Sequence, residues 1–178
     1  MTQHVYHPLQ KLLHWLMALM IPTLFGVGLW MTGLSYYSQW YKIAPDLHKS
    51  FGVLLALLLL TRWLALWWFG KPAPQGQALQ RMAASVAHAL MYLLLVSIIV
   101  TGYLISTEDG RPIIVFELVE IPSFGKLFDN QADIAGELHY WLAWSLIGLV
   151  TLHVLAALKH HFINKDNTLT RMIGRARP

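Results

Sequence analysis

Histidines are the residues of this sequence best able to do chemistry, since there are nine in 178 residues and several lie inside long apolar stretches. His139 and His153 are 14 residues apart in one such stretch. At about 100° per residue, this step returns both side chains to nearly one face of a helix, separated by about 21 Å along its axis. An ionisable side chain in an apolar segment of membrane length predicts a function, and a neutral imidazole is a common metal ligand.

The elements that must position these histidines are four apolar segments. Hydrophobic residues make up 56% of the chain and charged residues 12%, which is about half the charged share of soluble domains. A membrane-spanning helix needs about 20 mostly apolar residues. Four segments meet this requirement, at about 9–34, 48–69, 82–107 and 138–162. We therefore predict an all-α integral membrane protein, a single domain over 1–178 built as a four-helix transmembrane bundle.

The charges that flank the spans predict how the bundle lies in the membrane. Four spans place both termini on one side, together with the connection between the second and third spans. That side carries nine Lys and Arg residues against one acid, and the other side carries four against eight. By the positive-inside rule, both termini are cytoplasmic. Residues 108–137 are then a periplasmic loop, and residues 163–178 are a basic cytoplasmic tail that we expect to be solvated and to face lipid rather than nucleic acid.

In this orientation the histidines fall at two levels. His14 and His153 lie nearer the cytoplasm on the first and fourth spans, and His48 and His139 lie nearer the periplasm on the second and fourth. Zinc would usually take four ligands, often with cysteine or carboxylate, but the chain has no cysteine and the spans contain no acid. Two imidazoles from different helices suit the axial positions of a b-type haem. His88 begins the third span at the cytoplasmic level, so spacing alone leaves it competing with His14 for His153. The alternatives are that His88 bonds a haem propionate or is a core residue whose hydrogen bonds are satisfied.

Three further residues are candidates to assist such a haem. Gly28 follows the histidine of the first span by 14 residues, where a glycine would let a periplasmic-side haem lie close to the backbone. Arg62 follows the histidine of the second span by the same step, so its guanidinium would pair with a haem propionate or extend to the cytoplasmic surface. Gly52, one turn after that histidine, would relieve crowding beside the ring or serve helix packing. His4 and His7 precede the first span and are expected to be solvated.

The motifs that carry these residues resemble those of the bacterial cytochrome b561 family over essentially the full chain. They are LHW at 13–15, LHKSFG at 47–52, LHYWLAW at 138–144, LHVLAALKHH at 152–161 and KDNTLTRM at 165–172. The first motif is weak alone, but the five in this order and spacing are specific. The stretch GLWMTGLSYYSQWY is similar to one branch of the family, encoded beside a periplasmic, lipocalin-like protein that binds polyisoprenoids.

The resemblance implies a di-haem, quinone-linked protein of the bacterial inner membrane. Members of the family take their axial ligands from the first span, the second span and twice from the fourth. These positions correspond here to His14, His48, His139 and His153. The resemblance thus excludes His88 as a ligand, which the spacing of the residues alone did not.

The resemblance also implies a quinone site. One member of the family oxidises superoxide at the periplasm and passes the electron to ubiquinone. Its quinone contact is similar to His160 here, which would lie with Lys159 at the cytoplasmic interface, where a quinone head group could meet a protonatable donor. His161 is a weaker candidate. The alternative is that His160 is an ordinary interfacial histidine.

The sequence departs from a superoxide oxidase in the charge of its periplasmic side. A positive surface would steer the superoxide anion towards the protein, but this side sums to −4 from four cations and eight acids. Lys42, Lys49 and Arg111 would still form a local basic patch. The imbalance disfavours superoxide as the substrate, and the apolar part of the 108–137 loop would cap the outer haem or dock a partner.

We therefore predict transmembrane electron transfer through two haems b, between membrane ubiquinone and a periplasmic redox partner that is superoxide or a small protein. The chain would then be a quinone-linked oxidoreductase. One alternative keeps the haems and makes the chain the membrane anchor of a larger dehydrogenase or hydrogenase. An alternative of another class is a haem-free transporter or metal-binding membrane protein, although no pair of interrupted helices marks a transport site.

Overall fold

The computed structural model describes residues 6–73 and 76–174, so His4 and the last four residues of the tail lie outside the described part. Four long helices make up most of it, and each is long and apolar enough to cross a membrane. Their bounds are Pro8–Thr32 for α1, Trp40–Phe69 for α2, Ala78–Thr107 for α3 and Gln131–Phe162 for α4. Two short strands, β1 (Ile113–Val115) and β2 (Val119–Ile121), and one short helix, α5 (Thr170–Ile173), complete the described elements. The predicted four-helix bundle is confirmed, with a small hairpin added to it.

The helices pack as two pairs. The closest contacts join α1 to α2 and α3 to α4, while α2 with α3 and α1 with α4 approach over shorter stretches. The start of α1, the end of α2, the start of α3 and the end of α4 form what we call the terminal end of the bundle. The hairpin lies between α3 and α4 in sequence, at the opposite end, which we call the hairpin end.

A compact apolar layer lies at mid-height and receives side chains from all four helices. Its buried members are Met17, Leu55, Leu59, Leu95 and Leu146. Many other apolar side chains point outward, since Leu19, Leu93 and Leu152 are 70%, 62% and 64% exposed. In water such a surface would be unfavourable, so the outward-facing leucines fit a surface covered by lipid.

The segment between α3 and α4 is more ordered than a plain loop. Strands β1 and β2 pair antiparallel, and the turn between them places Phe116 and Glu117 at φ values of 49° and 61°. Positive φ at both central residues of the turn, which the Leu118 N–H closes by donating to the Val115 carbonyl over 2.9 Å, is type I′ geometry. The pairing of Val115 with Val119 leaves three residues in the loop. The hairpin is held against α2, because the Phe116 N–H donates to the Ser50 hydroxyl over 3.0 Å and the rings of Phe51 and Phe116 stack edge to face.

Three helices begin at least four residues before the apolar segments that predicted them, and α3 is one of them, starting at Ala78 instead of 82. Helix α2 starts at Trp40 and α4 at Gln131, so α4 takes in the last part of the segment predicted as a periplasmic loop. Gln131 is fully buried and explains the early start of α4. Its amide donates to the Leu104 carbonyl over 2.9 Å and accepts from the Leu127 N–H over 2.8 Å. Hydropathy cannot detect this start, because a glutamine counts as polar even when its amide is hydrogen-bonded and buried.

The tail was expected to be solvated, but its residues 166–172 are partly or fully buried, while residues 163–165, 173 and 174 are exposed. The carbonyls of Met172 and Gly174 accept hydrogen bonds from Trp15 Nε1 over 3.0 Å and Lys11 Nζ over 2.7 Å, both in α1. Arg171 is only 8% exposed and donates to a carbonyl in the α2–α3 connection. The docked tail therefore closes part of the terminal end, because its backbone carbonyls supply acceptors that its basic composition does not reveal.

His7 also differs from its predicted solvated state. It caps the N-terminus of α1, where its Nδ1 accepts from the Leu9 N–H and its own N–H donates to Gln10 Oε1 over 3.0 Å. Its ring also stacks on Phe69 at 3.8 Å, nearly parallel. The start of α1 is thereby fixed against the end of α2.

Candidate functional site

The bundle brings histidines of different helices together at two levels. Near the terminal end, the ring centres of His14 and His153 lie 6.5 Å apart and the rings cross at 71°. Near the hairpin end, the ring centres of His48 and His139 lie 6.3 Å apart and cross at 69°. All four side chains are partly buried. The two pairs therefore share one geometry, although they come from different combinations of helices.

This ring separation fits two ligands of one metal ion. With a metal–nitrogen bond of about 2 Å and a nitrogen about 1.1 Å from its ring centre, opposed imidazoles on one ion have centres about 6 Å apart. Among residues 6–73 and 76–174, no group of three or more His, Cys, Asp or Glu could hold a metal ion. A metal at either pair must then bring further ligands of its own, as the ring nitrogens of a haem do. The donor set fits two bis-histidine haems.

His88 stands apart from these pairs. Its ring centre is 5.2 Å from that of His153, closer than opposed ligands of one ion allow. Its side chain is exposed, whereas the four histidines of the two pairs are partly buried.

The two histidines of the hairpin-end level have different surroundings. His139 Nδ1 lies 3.0 Å from the Ile98 carbonyl and 3.1 Å from the Thr101 hydroxyl, both in α3. Because a carbonyl only accepts, Nδ1 carries the proton and Nε2 keeps its lone pair free for a metal. The Nδ1 atom of His48, in contrast, is buried and has no hydrogen-bond partner among the described residues.

Two glycines flank these histidines. A Cβ atom added to Gly28 would lie 3.3 Å from His48 Cε1, and one added to Gly102 would lie 3.2 Å from His139 Cε1. The prediction singled out Gly28 for a close approach at this level, and the structure brings it against the imidazole of His48. The sequence did not predict a role for Gly102, because α3 carries no predicted ligand from which the position of a neighbouring glycine could be counted. A Cβ on Gly52 would meet nothing within 4 Å, so Gly52 touches no ring.

Arg62 lies at the terminal-end level and reaches two other helices. Its Nε donates to the Tyr92 hydroxyl over 2.9 Å and its terminal nitrogen donates to the Gln10 carbonyl over 3.1 Å. The side chain is partly buried and held among the helices, so Arg62 does not extend freely to the membrane surface.

His160 and Lys159 end α4 beside the docked tail. His160 Nδ1 donates to Asp166 Oδ2 over 2.5 Å, while Asp166 Oδ1 accepts from the Thr168 N–H over 2.9 Å. Partial burial raises the pKa of the Asp166 carboxyl, but the hydrogen bonds from Thr168 and His160 outweigh it, so the pKa lies below its usual 3.8. Lys159 is exposed.

A small open pocket adjoins this pair of residues. Its lining residues are His161, Lys165, Asp166, Asn167 and Thr170. The Nδ1 atom of His161 is buried and has no hydrogen-bond partner among the described residues. Four of the five lining residues belong to the docked tail, so the pocket exists only because the tail folds back.

Ion pairs at the hairpin end remove most of the predicted basic patch. Lys49 pairs with Asp46 over 2.7 Å and Arg111 pairs with Asp109. Of the three cations predicted to form the patch, only Lys42 is not in one of these pairs. The sequence predicted the patch because Lys49 and Arg111 were not paired with the acids two or three residues before them.

Comparison with known proteins identifies the group to which this bundle belongs. The model of the family described as prokaryotic cytochrome b561 matches residues 5–175. The chain belongs to this family. It is 46% identical over 177 residues to cytochrome b561 homolog 2 of Escherichia coli (strain K12), covering 98% of this chain and 94% of that one.

Two further relatives cover nearly the whole chain. The probable superoxide oxidase CybB of Yersinia pestis is 31% identical over 176 residues, which is 97% of each chain. Cytochrome b561 homolog 1 of Escherichia coli (strain K12) is 26% identical over 170 residues, 93% of this chain and 95% of that one.

Membership in the family gives the chain its general role. It is an electron-transport protein that binds haem b, an oxidoreductase by class, and a multi-pass protein of the bacterial inner membrane. The predicted family, fold class and location are thereby confirmed.

Proposed function

We propose that this cytochrome carries electrons across the inner membrane with two haems b, one held by His14 and His153 and the other by His48 and His139. The observation that carries this proposal is the pair of ring separations, 6.5 and 6.3 Å, at two levels of one bundle. When bound, haem b supplies one-electron chemistry, and two of them at different depths would link the two faces of the membrane.

The bundle contributes ligation, orientation and an apolar surrounding. His139 is held by α3 in the tautomer that leaves Nε2 free to bind a metal. Gly28 and Gly102 leave room beside the imidazoles of the hairpin-end pair. The apolar layer around Leu55 and Leu146 separates the two levels and excludes water between them. Close apolar packing there keeps each site in a low-dielectric environment, where neighbouring charges act strongly.

Arg62 supports a carboxylate at the terminal-end level. Its guanidinium is anchored by Tyr92 and by the Gln10 carbonyl, and these two bonds use only part of its five N–H donors. The remaining donors suit a haem propionate, because a guanidinium binds a carboxylate through two parallel hydrogen bonds. The charge of Arg62 would then be neutralised inside the bundle.

We propose that ubiquinone exchanges electrons near the terminal end, beside His160 and Lys159. His160 offers a protonatable ring and Asp166 bonds to it on the other side. A carboxylate that holds one ring nitrogen orients the imidazole and lets the other nitrogen move a proton to or from a quinone oxygen. The excess of cations on this side supports its cytoplasmic orientation.

For the opposite side we propose exchange with a periplasmic redox partner that is not steered by positive charge. The excess of acids and the pairing of Lys49 and Arg111 with neighbouring acids support this proposal. Electrostatic steering of an anion requires a positive field. A small protein therefore fits this surface better than superoxide, although a relative is named a probable superoxide oxidase.

Haem content per chain tests the central proposal. Purified protein from haem-replete cells should give two haems b by pyridine haemochrome assay. His139→Ala and His153→Ala should each lose one haem, because each removes a histidine that would hold a haem, and the two belong to different pairs. A wild-type preparation with no Soret band contradicts the proposal, and co-purification of a catalytic subunit would point to an anchor role instead.

His88→Ala is the matched control for these variants. It removes an imidazole from a span at the same depth as His14, yet it should leave two haems per chain. If His88→Ala loses a haem while His14→Ala keeps both, the ligands of the terminal-end pair are assigned wrongly.

A further inference from the structure

Helix α3 supplies no axial ligand in the proposed assignment, yet it makes the closest polar contacts to one ligand. His139 Nδ1 lies between the Ile98 carbonyl and the Thr101 hydroxyl, at 3.0 and 3.1 Å. Thr101 is 7% exposed, so its hydroxyl cannot find water easily. Its Oγ1 also lies 2.8 Å from the Ser97 carbonyl.

The hydrogen-bond directions in this group are fixed by its chemistry. Carbonyl oxygens only accept, so the Thr101 hydroxyl donates its single proton to a carbonyl, the nearer being that of Ser97. The hydroxyl oxygen is then an acceptor for the proton on His139 Nδ1. This proton is shared between Ile98 and Thr101, and the imidazole is held from two directions.

The proposed partner ligand has no such support. His48 Nδ1 is buried without a hydrogen-bond partner among the described residues, and its ring is flanked by the hydrogen side of Gly28. Hydrogen bonds to the distal nitrogen of a ligating histidine raise its basicity and fix its ring orientation. The two ligands of the hairpin-end pair are therefore unequal donors, and α3 makes the difference.

We infer that Thr101 is a positioning residue for His139. By accepting a hydrogen bond from His139 Nδ1, the Thr101 hydroxyl orients the imidazole ring and sets the potential of the hairpin-end haem. This inference rests on the proposed function, because it takes His139 as an axial ligand. A more basic imidazole favours oxidised iron. Thr101→Val, which keeps the shape but removes the oxygen, should therefore raise the reduction potential of one haem only.

The test is a spectroscopic redox titration of purified protein, with low-temperature electron paramagnetic resonance of the oxidised form. In Thr101→Val, the ratio of reduced to oxidised form at a given applied potential should be about threefold higher for one of the two haems. This is an upward shift of its reduction potential by about 28 mV for a one-electron couple. The low-spin signal of the same haem should shift, because the ring orientation of His139 changes. Thr101→Ser, which restores the hydroxyl, should return both readouts to those of the wild type.

Thr107→Val is the matched control. Thr107 is also a buried threonine of α3, and its hydroxyl also donates to the carbonyl one turn earlier, over 2.8 Å, but it is bonded to no histidine. It should leave both potentials unchanged. Equal potentials in Thr101→Val and wild type, or equal shifts in Thr101→Val and Thr107→Val, overturn the inference. Wild-type protein without two haems instead overturns the proposed function, so the two failures are distinguishable.

Discussion

The imidazole rings of His48 and His139 lie 6.3 Å apart near the hairpin end, although they belong to helices of different packing pairs. The second pair of histidines repeats this separation near the terminal end. Two such pairs, with an apolar layer between them, support the proposal that two haems carry electrons across the membrane.

The close approach of Gly28 to His48 should make this glycine sensitive to substitution. A Cβ atom 3.3 Å from His48 Cε1 would force the ring to move. Gly28→Ala should therefore weaken the binding of one haem by about tenfold, the lower end of the range for mutation of residues that orient a metal ligand. Haem occupancy during titration of apoprotein with haem measures this. Gly26→Ala is the control, since its added Cβ meets nothing within 4 Å. Equal occupancy in both variants would contradict the prediction.

Removal of the Arg62 charge should lower the potential of the terminal-end haem. A cation near a haem favours the reduced state, which carries one positive charge fewer. At an effective dielectric constant of about 20, such an effect is of the order of 1 kcal/mol, or about 40 mV for one electron. Arg62→Gln should show this shift in a redox titration. Tyr92→Phe removes a bonding partner of Arg62 but keeps the charge, so a similar shift in both variants would rule out a charge effect.

The rate of electron exchange with quinone should depend strongly on His160 and less on His161. His160→Ala should slow reduction or oxidation by a soluble ubiquinone analogue by about 10²-fold, the low end for loss of a general acid or base, with the haem content unchanged. Stopped-flow absorbance of the haem bands measures the rate. His161→Ala is the control, because His161 does not contact Asp166 in the way His160 does. Equal slowing by both variants would point to general disturbance of the α4 terminus.

Docking of the tail should weaken in acid. The pKa of Asp166 lies below its usual 3.8 in the folded protein, so the carboxylate stabilises the docked tail above its ordinary pKa. This contribution is lost as the pH falls through the lowered value and Asp166 becomes protonated. Hydrogen–deuterium exchange over residues 163–174 should therefore rise relative to the bundle helices below about pH 4, after correction for the intrinsic exchange rate. In Asp166→Asn, exchange there should already be faster at neutral pH and change less with acid.

Any reaction with superoxide should be helped, not hindered, by salt. The acid excess of the hairpin-end surface repels an anion. Added salt weakens this repulsion, because at 0.1 M ionic strength charges more than about 10 Å apart are largely screened. The rate of haem reduction by superoxide should then rise with ionic strength in stopped-flow measurements. A rate that falls with salt would mean that superoxide approaches the haem along a positively charged surface, which would contradict the prediction from the acid excess of the hairpin end. No reaction above the uncatalysed rate would exclude superoxide as the substrate.

The sequence by itself determined the parts of this protein that depend on local composition. Apolar runs of about 20 residues predict spans wherever they occur, and a step of 14 residues sets two histidines of α4 on nearly one face. Family motifs around His14, His48, His139 and His153 added the expected ligands. These features depend on residues that are close in the sequence, so they can be predicted without knowing how the helices pack.

Only the tertiary structure decided what meets across helices. It places the ring of His88 5.2 Å from that of His153, too close for opposed ligands of one ion, whereas spacing along the chain had left His88 equal to His14 and only the family resemblance had set it aside. It also supplies the contacts of Thr101 and Gly102 with His139, and it docks the tail through carbonyls that accept from Trp15. A contact between distant segments depends on helix rotation and packing, and neither is encoded in the composition of any single span.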